Sequence, residues 1–476
     1  MTALSALHTP IAPHTETVCP LPTGASFGYG STLCGPHYSD PWQLLLVLTI
    51  STAAFIYNPR TDGWVAALSP GISGTLSVGA IAWNPNGPSG TTSAATATSI
   101  TTNYTSTRDL EQYVLRITGG TGAGQERVVS YNTIGANAVF TVTQPWTVQP
   151  DATSTWVLRT GRYYVFASSG ASNVPSFRYF DVASFSWTAL SAVGLPAAWT
   201  PNAALCAPHC SVFATGTASA GAASTLADTT KSWLINQWAN QQVRIISGAG
   251  AGQTRTIASN TATQLTVTSP WAQQPGSGST YEIGANEDFI YLTGNLASTL
   301  YRYSVSAGTW TTLSPVAARG SGTNAGVCLV SVDQETDPLW TDETNYLNGR
   351  YLYSFRGGAT DHLAIYDIAF NTWFNDTSTG GSNPISYVGR TAFGAGSSMT
   401  YHDGVAYMQA GNSGFMYKFF PARNYLEPWA RITLAQTGTG DGNKVAVVRY
   451  VSGNTSIKLV YAGLCGATNV VRIQDI

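Results

Sequence analysis

The stretch Ile365-Tyr366-Asp367-Ile368-Ala369-Phe370-Asn371-Thr372-Trp373 decides how the chain is interpreted. An apolar strand ends at Tyr366-Asp367, a turn follows, and Trp373 opens the next strand. The same six-position spacing between a polar residue and a Trp recurs at Asn58–Trp64, Asp181–Trp187 and Ser304–Trp310. A Tyr or Phe precedes the polar residue each time. Self-similarity of this kind predicts a repeat architecture with one supersecondary unit in each repeat.

The composition is that of a weakly charged chain rich in sheet-forming residues. Of its 476 residues, 43% are hydrophobic and only 10% are charged, and the formal net charge is −2. Soluble domains usually have about a quarter of their residues charged, so uncharged polar side chains must keep this surface hydrated. That composition suits sheet surfaces in packed assemblies. Because no Lys/Arg-rich run occurs, it argues against electrostatic capture of nucleic acid.

The N-terminus and the apolar stretches do not indicate secretion or membrane insertion. Met1–Pro20 lacks a basic start followed by an apolar core. Trp42–Tyr57 is too short to span a bilayer, so we predict two neighbouring buried strands there. Six cysteines are too few for a disulfide scaffold. Cys206 and Cys210 bracket His209 without completing a zinc site, and we interpret the two cysteines as small core residues.

One unit, from Ser397 to Leu434, shows the repeat most plainly. It predicts four short antiparallel strands, at Ser397–His402, Val405–Met408, Phe415–Phe419 and Trp429–Leu434. Asp403-Gly404 supplies a hairpin turn. Four such strands make one blade of a β-propeller. We expect the Trp that opens the fourth strand to fill the wedge between neighbouring blades.

Six units fit this template, and each is identified by its second strand. The second strands are predicted at Leu44–Leu48, Tyr163–Phe166, Phe289–Leu292, Tyr351–Phe355, Val405–Met408 and Lys458–Tyr461. The last unit has only three strands before Ile476. Since a closed ring removes exposed sheet edges, we predict that the N-terminal arm, residues 1–24, supplies the missing outer strand.

The Tyr-Asp turn and its downstream Trp, with Gly-Gly after the preceding strand, resemble the kelch motif. The unit from Tyr351 to Trp373 carries every part of the motif: Gly357, Gly358, Tyr366, Asp367 and Trp373. Other units are degenerate, with Asn58 and Ser304 in place of Asp and a longer spacing from Tyr417 to Trp429. The resemblance implies an all-β chain that forms a six-bladed kelch-like β-propeller.

The Trp spacing also reveals two insertions. Trp64, Trp187 and Trp310 are 123 positions apart, whereas the later Trp-to-Trp intervals are 63 and 56. Two similar segments account for the excess, because Gly122-Ala123-Gly124-Gln125-Glu126-Arg127 recurs as Gly250-Ala251-Gly252-Gln253-Thr254-Arg255. Apolar strands precede both turns, at Val114–Ile117 and Val243–Ile246, and Pro145-Trp146 or Pro270-Trp271 follows. The sequence therefore predicts a duplicated small β-domain.

The two copies lie between the first and second strands of adjacent blades, so we expect them side by side on one face of the propeller. The long loop Asp333–Arg350 occupies the same position in the next blade and should join them. The expected boundaries are 1–24 for the arm, 25–89 for blade 1 and the start of blade 2, 90–160 for the first insert, 161–215 for propeller, 216–285 for the second insert, and 286–476 for blades 3–6.

No catalytic, cofactor-binding or metal-binding residue emerges as a candidate. Gly119–Gly124 and Gly248–Gly252 lack the Lys-Ser/Thr of a phosphate loop and open no helix, so we interpret them as β-turns. One acidic loop carries oxygen ligands suited to a hard cation such as Ca²⁺, but its spacing matches no EF-hand and we favour a solvated loop. Its residues are Asp333, Glu335, Asp337, Asp342 and Glu343.

Enzymatic interpretations of a kelch-like propeller are disfavoured. A copper oxidase would need His and Tyr ligands converging on the axis, but the histidines show no paired spacing: His8, His14, His37, His209, His362 and His402. Sialidase-like enzymes repeat a Ser-x-Asp-x-Gly-x-x-Trp turn, of which only Thr61-Asp62-Gly63-Trp64 is a fragment. With no Ser/His/Asp signature either, we expect a protein that is not an enzyme and needs no cofactor.

The Gly-Ala-Gly-Gln-x-Arg turn with its downstream Pro-Trp resembles small β modules of tailed-bacteriophage virion proteins. The resemblance implies a structural tail or neck protein, nozzle- or hub-like, assembled in the host cytoplasm. Expected partners are copies of itself, in a ring that is hexameric by analogy, and other tail or neck proteins. A place in the channel would bring DNA near without specific contact. The alternative is host-surface recognition or decoration, with glycan stacking on Trp146, Trp271, Trp233 and Trp238; we favour packing inside the inserts for these rings.

Overall fold

The chain folds entirely as β-structure in the part that the structure describes. The computed structural model describes residues 16–20, 32–35, 45–48, 53–58, 63–67, 69–71, 76–83, 87–107, 110–111, 113–159, 161–169, 174–181, 186–199, 203–208, 212–284, 286–294, 299–315, 328–331, 351–355, 363–368, 370–374, 397–402, 405–409, 415–419, 429–433, 444–449, 457–465 and 468–475. Every regular element in these ranges is a strand, so the predicted all-β class is confirmed. Among the same residues, no helix has the length and apolar character needed to cross a bilayer.

Thirty-seven strands lie within these ranges. The first twelve are β1 (Glu16–Pro20), β2 (Thr32–Cys34), β3 (Leu45–Leu48), β4 (Ala54–Asn58), β5 (Gly63–Ala67), β6 (Leu76–Trp83), β7 (Ser89–Thr96), β8 (Ser99–Thr102), β9 (Val114–Gly119), β10 (Glu126–Asn132), β11 (Val139–Val142) and β12 (Thr155–Arg159). The next fourteen are β13 (Gly161–Ser169), β14 (Val174–Asp181), β15 (Ser186–Leu190), β16 (Ala203–Cys206), β17 (Val212–Thr217), β18 (Ala220–Ala222), β19 (Thr225–Ala227), β20 (Gln242–Ser247), β21 (Thr254–Asn260), β22 (Gln264–Val267), β23 (Thr280–Gly284), β24 (Phe289–Gly294), β25 (Leu300–Ser304) and β26 (Thr309–Leu313). The last eleven are β27 (Cys328–Ser331), β28 (Tyr351–Phe355), β29 (Leu363–Asp367), β30 (Thr372–Phe374), β31 (Ser398–His402), β32 (Val405–Gln409), β33 (Phe415–Phe419), β34 (Trp429–Thr433), β35 (Lys444–Arg449), β36 (Ile457–Cys465) and β37 (Thr468–Asp475).

Six antiparallel sheets of four strands follow one another along the chain. Sheet 1 has the order β2-β3-β4-β5, sheet 2 β6-β13-β14-β15, sheet 3 β16-β24-β25-β26, sheet 4 β27-β28-β29-β30, sheet 5 β31-β32-β33-β34 and sheet 6 β35-β36-β37-β1. The first strands of successive sheets contact each other in order, from β2 to β6, β16, β27, β31 and β35, and β35 contacts β2 again.

The predicted outer strand from the N-terminal arm is confirmed. β1 pairs antiparallel with β37, from Glu16 opposite Gln474 to Pro20 opposite Val470. The first strand of the chain thus completes the last sheet. This pairing occupies backbone donors and acceptors of β37 that would otherwise form an open sheet edge.

The repeated Trp turn has one register in four sheets. The aromatic residue before the polar position lies directly opposite the Trp in each, as the pairs Tyr57–Trp64, Phe180–Trp187, Tyr303–Trp310 and Tyr366–Trp373. Their ring centroids are 4.7, 5.2, 5.1 and 5.1 Å apart. Such aromatic pairs stabilise by roughly 0.5–1.5 kcal/mol beyond the area they bury.

The left-handed residue in the turn explains its composition. The position two before the Trp has a positive φ, 68° at Gly308 and 49° at Asn371, and Gly and Asn are the residues that tolerate this conformation best. Asp367 accepts the Phe370 N–H at 3.2 Å, which closes the turn.

The fifth unit departs from the expected spacing. Trp429 lies opposite Phe419, and Tyr417, from which the longer spacing is counted, lies opposite Arg431. The strands themselves begin and end within one residue of the predicted positions.

Neighbouring sheets pack through alternate residues of their second strands. In β13, Tyr163 and Val165 pack on residues of sheet 1, whereas Tyr164 and Phe166 pack on residues of sheet 3. Both faces of the strand are therefore buried, which accounts for its continuous apolar run. The stretch predicted as two buried strands forms β3 and β4, where Leu46 and Ile56 belong to the core between sheets 1 and 2.

The Trp rings lie between sheets, as the wedge prediction requires. Trp310 of sheet 3 contacts Phe177 of sheet 2 edge-on, with the centroids 4.8 Å apart. Trp373 of sheet 4 joins a buried cluster that includes Tyr291 of sheet 3, and Trp187 packs on the core between sheets 1 and 2.

Candidate functional site

The most elaborate region of the described chain consists of two modules that project from sheets 2 and 3. Module 1 (β7–β12) leaves sheet 2 between β6 and β13, and module 2 (β17–β23) leaves sheet 3 between β16 and β24. In both sheets the strands that flank the module pair with each other. Because its entry and exit strands are hydrogen-bonded neighbours, each module is held at two points.

Module 1 is a closed six-stranded barrel with the strand order β10-β11-β8-β7-β12-β9. Its core is apolar, and the Trp156 ring at its centre contacts Phe140 and Tyr104 edge-on, with centroids 5.3 and 5.8 Å apart. Ile100, Leu115 and Phe140 are fully buried in the same cluster.

Module 2 repeats this topology with a divided first strand. Its order is β17-β23-β20-β21-β22-β19-β18. β17 pairs with β23 and β18 pairs with β19, as β7 pairs with both β12 and β8 in module 1. A fully buried carboxylate, Asp228, lies in this module and accepts the Tyr281 hydroxyl at 2.7 Å.

The glycine-rich segments are tight turns, as predicted. Gly119–Gly124 connects β9 to β10, and Gly248–Gly252 connects β20 to β21. Three glycines in each turn have φ between 71° and 87°, namely Gly120, Gly122 and Gly124 in module 1 and Gly248, Gly250 and Gly252 in module 2. An L-residue adopts this conformation only at a cost, which is why glycine recurs at these positions.

The repeated Gln ties its turn to the loop that carries the Pro-Trp pair. The Gln125 side-chain amide donates to the Gly122 and Val148 carbonyls at 2.9 and 2.7 Å. Its Oε1 accepts the Thr147 and Val148 N–H groups at 2.7 and 3.1 Å. All four hydrogen bonds are made with backbone N–H and C=O groups that lie outside the strands.

Gln253 makes the equivalent contacts in module 2. It donates to the Gly250 and Gln273 carbonyls at 3.1 and 2.8 Å and accepts from Ala272 and Gln273. The recurrence of a four-bond pattern in both copies shows that the repeated Gln is a fold determinant of the module.

The repeated Arg completes the same connection. Arg127 donates from Nε to the Pro145 carbonyl at 3.0 Å, and its guanidinium lies 5.7 Å from the Trp146 ring centroid. Arg255 makes the matching contacts with Pro270, at 2.9 Å, and with the Trp271 ring, at 5.5 Å. The Gly-Ala-Gly-Gln-x-Arg motif and its Pro-Trp partner therefore act as one intramolecular clasp.

The two modules contact each other through corresponding residues, in the side-by-side arrangement that was expected. A Cβ added to Gly252 of module 2 would overlap the Thr118 carbonyl of module 1, and one added to Gly124 of module 1 would lie 3.1 Å from Ile246 of module 2. Arg116 donates to the Thr254 hydroxyl across the same surface at 3.3 Å. The contact is reciprocal, as in an isologous dimer. We call this surface the joint.

A cluster of six charged residues lies at the joint. It contains Arg116, Glu126 and Arg159 from module 1, Arg244 and Glu282 from module 2, and Glu287 from the segment before β24. Arg159 pairs with Glu126 at 2.8 Å and with Glu287, so it connects the exits of both modules. Arg244 pairs with Glu282 at 2.8 Å.

Burial and neighbouring charge shift the pKa values in this cluster. Burial and the nearby Arg244 lower the pKa of Arg116 to about 10. Burial alone would raise the pKa of Glu126, but Arg159, Arg116 and Arg244 outweigh it and hold that pKa below its ordinary value. Breaking one partner of such a pair leaves an uncompensated charge in a poorly hydrated place.

Module 2 is also attached to sheets 3 and 4. Asn240 donates to the Ile368 carbonyl of sheet 4 at 3.3 Å and accepts from Arg302 of sheet 3 at 3.4 Å. Asn286 donates to the Asn240 carbonyl at 3.1 Å. These bonds hold the base of the module against the sheets.

The tryptophans considered for glycan stacking are packed inside the modules. Trp146, Trp271 and Trp238 are only 6, 5 and 4% exposed, and Trp233 is partly buried against the module 2 core. The packing interpretation is confirmed for the first three, since a sugar cannot reach the face of a buried ring.

Cys206 and His402 lie in two described strands, β16 and β31. Cys206 is buried in the core between sheets 3 and 4, in agreement with its interpretation as a core residue. His402 lies in β31. The other histidines, Cys210 and the acidic loop Asp333–Arg350 lie outside the described residues. Within the described ranges, no group of three or more His, Cys, Asp or Glu side chains is arranged to hold a metal ion.

The arginine–glutamate cluster is the feature that sequence reasoning missed. The repeated turn aligns Arg116 with Arg244, because each lies four positions before the first turn glycine. Alignment of the two strands from Val114 and Val243 is one residue out of register and hides this match. An arginine at the same place in two otherwise apolar strands was the available signal.

Comparison with known proteins gives distant structural similarity and no family. No model of a protein family matches the chain, and no curated protein does. Sqt1 of Saccharomyces cerevisiae is similar at 10% identity and a TM-score of 0.34, over 98% of this chain and 100% of that one. AofleA of Arthrobotrys oligospora is similar at 9% identity and 0.39, over 97% and 89%. A luciferin-regenerating enzyme is similar at 10% identity and 0.34, over 97% and 95%. Similarity this low carries no argument about function.

Proposed function

We propose that the chain is a six-bladed, kelch-like β-propeller with two inserted β modules and that it is a structural component of a virion. Six four-stranded sheets in sequence, first strands that contact in order and return to the start, and a last sheet completed by β1 support the propeller. The corresponding units are the arm, residues 1–24, the modules at Ser89–Arg159 and Val212–Gly284, and the blades in the remainder. The modules begin one and four residues before the predicted positions 90 and 216.

One observation carries the structural role. The residues that the two modules share are committed to contacts within their own chain. Gln125 and Arg127 hold a loop, Trp146 is buried by it, and their counterparts Gln253 and Arg255 do the same. Shared side chains that bond within their own module support a role in rigidity more than a role in binding or catalysis.

The proposed place is the tail or neck of a tailed bacteriophage, in a ring of copies that contacts other tail or neck proteins. The resemblance of the modules to small β modules of phage virion proteins supports this location. The low charge of the chain supports burial against neighbours rather than free diffusion. Modules attached to two adjacent sheets make one face of the disc different from the other, which would orient each copy in a ring.

Host-surface recognition is the alternative, and the position of the tryptophans gives it less support. A glycan-binding propeller with modules would need exposed aromatic platforms, and three of the four considered rings are buried.

The oligomeric state of the full-length protein tests the proposal. Native mass spectrometry and negative-stain microscopy should find a closed ring of identical copies, and a glycan array should give no signal. A monomer that binds a defined glycan at micromolar concentration would contradict the structural role and favour recognition.

A further inference from the structure

The joint between the modules combines a close backbone contact with a charge cluster of matched signs. Three arginines and three glutamates meet there, so the cluster is neutral when all six are ionised. The arginine side chains are 7 to 14% exposed, so few water molecules can hydrate their charges. Arg116 and Arg244 in particular are close enough for mutual repulsion.

We propose that the joint is an acid-labile lock: Glu126 and Glu287 hold the arginines of the joint together at neutral pH, and loss of their charges in acid releases module 1 from module 2. This inference does not depend on where the protein acts. Arginine remains charged at every relevant pH, so loss of the glutamate charges leaves like charges facing one another in a confined space. The joint then opens because the arginines can regain hydration only by separation.

The charged groups around Glu126 come from every element that packs on it. They are Arg116 of β9, Arg159 of β12, Arg244 of β20 and Glu287 before β24, while Glu282 of β23 faces Arg244. Three of the four groups facing Glu126 are cationic.

The direction of the pH effect follows from the lowered pKa of Glu126. Burial acts against ionisation, but Arg159, Arg116 and Arg244 favour it more strongly. A carboxylate whose folded pKa lies below the ordinary value of about 4.3 stabilises the closed joint above that pH. The stabilisation is lost as pH falls through the folded pKa, so opening is an acid response.

Hydroxyl-radical footprinting of the full-length protein can follow the joint through three isoleucines. Ile246 faces Gly124 across the joint and reports opening. Ile257 is 0% exposed in the module 2 core and reports unfolding of the module. Ile134 is 69% exposed and provides a reference for radical dose. The measured quantity is the oxidation of Ile246 relative to Ile134.

Glu126→Gln combined with Glu287→Gln imitates protonation at neutral pH. We expect this double variant to raise Ile246 oxidation several-fold while Ile257 stays protected. The unmodified protein should respond in the same way when the pH is lowered from about 7 to well below the ordinary glutamate pKa of about 4.3. Adding Arg159→Gln removes the arginine that pairs with Glu126 and Glu287 and should restore the protected state. Asp181→Asn, which removes a buried carboxylate paired with Arg162 in sheet 2, is the matched control and should leave the Ile246 oxidation unchanged.

Three results would overturn the lock. Ile246 oxidation could stay at the level of the unmodified protein in the double variant and at low pH. It could rise only together with Ile257, which means that the module melts rather than separates. The triple variant could remain as open as the double variant, which would show that charge balance is not what holds the joint.

Discussion

Gly252 and Gly124 occupy the same position in the two modules and allow a matched experiment on the joint. Both have left-handed backbones, with φ of 83° and 87°, so an alanine at either one should cost about 1–2 kcal/mol in local strain. Their surroundings differ. A Cβ at position 124 would meet the flexible end of Ile246 at 3.1 Å, whereas a Cβ at position 252 would overlap the Thr118 carbonyl.

The difference between the two alanine variants measures how much the joint contributes. Thr118 lies within β9, which pairs with both β10 and β12 and cannot move alone, so module 2 must shift. The shift breaks the Arg116–Thr254 bond and separates members of the charge cluster. The Arg159–Glu287 ion pair also crosses the joint, and hydrogen bonds to charged groups contribute about 1.5–3 kcal/mol each. We therefore expect Gly252→Ala to exceed Gly124→Ala by about 3 kcal/mol, or roughly a hundredfold in the opening equilibrium.

Native-state hydrogen exchange with mass spectrometry gives the opening free energy of each module separately. The expected result is a loss of protection in Gly252→Ala that affects β9 and β20 together, with a much smaller loss in Gly124→Ala. Equal losses in the two variants would refute the reasoning, because backbone strain would then explain both and the contact with Thr118 would contribute nothing.

Three further outcomes test the remaining elements. Trp310→Ala should destabilise sheets 2 and 3 by about 3–5 kcal/mol because removal of a large buried ring leaves a cavity. Thermal unfolding measures this loss, and Thr311→Ala on the exposed side of the same strand should have little effect. Similar losses in the two variants would argue against the wedge role of Trp310. Removal of residues 1–20 should expose the β37 edge and cause concentration-dependent association in light scattering, whereas removal of residues 1–15 leaves β1 in place and should not; identical behaviour would mean that the pairing does not protect the edge. Burial raises the pKa of Asp228, but hydrogen bonds from Thr230 and Tyr281 outweigh it and lower the pKa below its ordinary value. The contribution of Asp228 to stability is therefore present above that ordinary value and is lost as pH falls through the folded pKa. Asp228→Asn should flatten the acid side of the stability curve of module 2, and an unchanged slope would contradict this.

The repeat could be predicted from sequence because its determinants are local. The spacing from Asp367 to Trp373 reflects one hairpin, and the opposed aromatic pair follows from antiparallel register alone. The intervals between successive tryptophans of this repeat also revealed the two insertions. The pairing of β1 with β37 joins the two ends of the described chain, yet it was predictable because a ring of sheets with one strand missing has a single place for it.

The joint could not be predicted in the same way because its contacts are distant in sequence. Arg116 and Thr254 are 138 positions apart, and Arg159 and Glu287 are 128 apart. Their meeting depends on the orientation of two modules on neighbouring sheets, which no local pattern encodes. The motif that drew most notice, Gly-Ala-Gly-Gln-x-Arg, proved to be a clasp inside each module. The more informative residue was the single arginine in the apolar strand before it.

Single-particle cryo-electron microscopy of the full-length protein tests the central proposal most directly. We expect six four-stranded sheets in a closed ring, with β1 completing the sixth sheet, both modules joined on one face, and several copies arranged around a common channel. An open arc of sheets, modules that are separate at neutral pH, or a particle that stays monomeric at high concentration would contradict it.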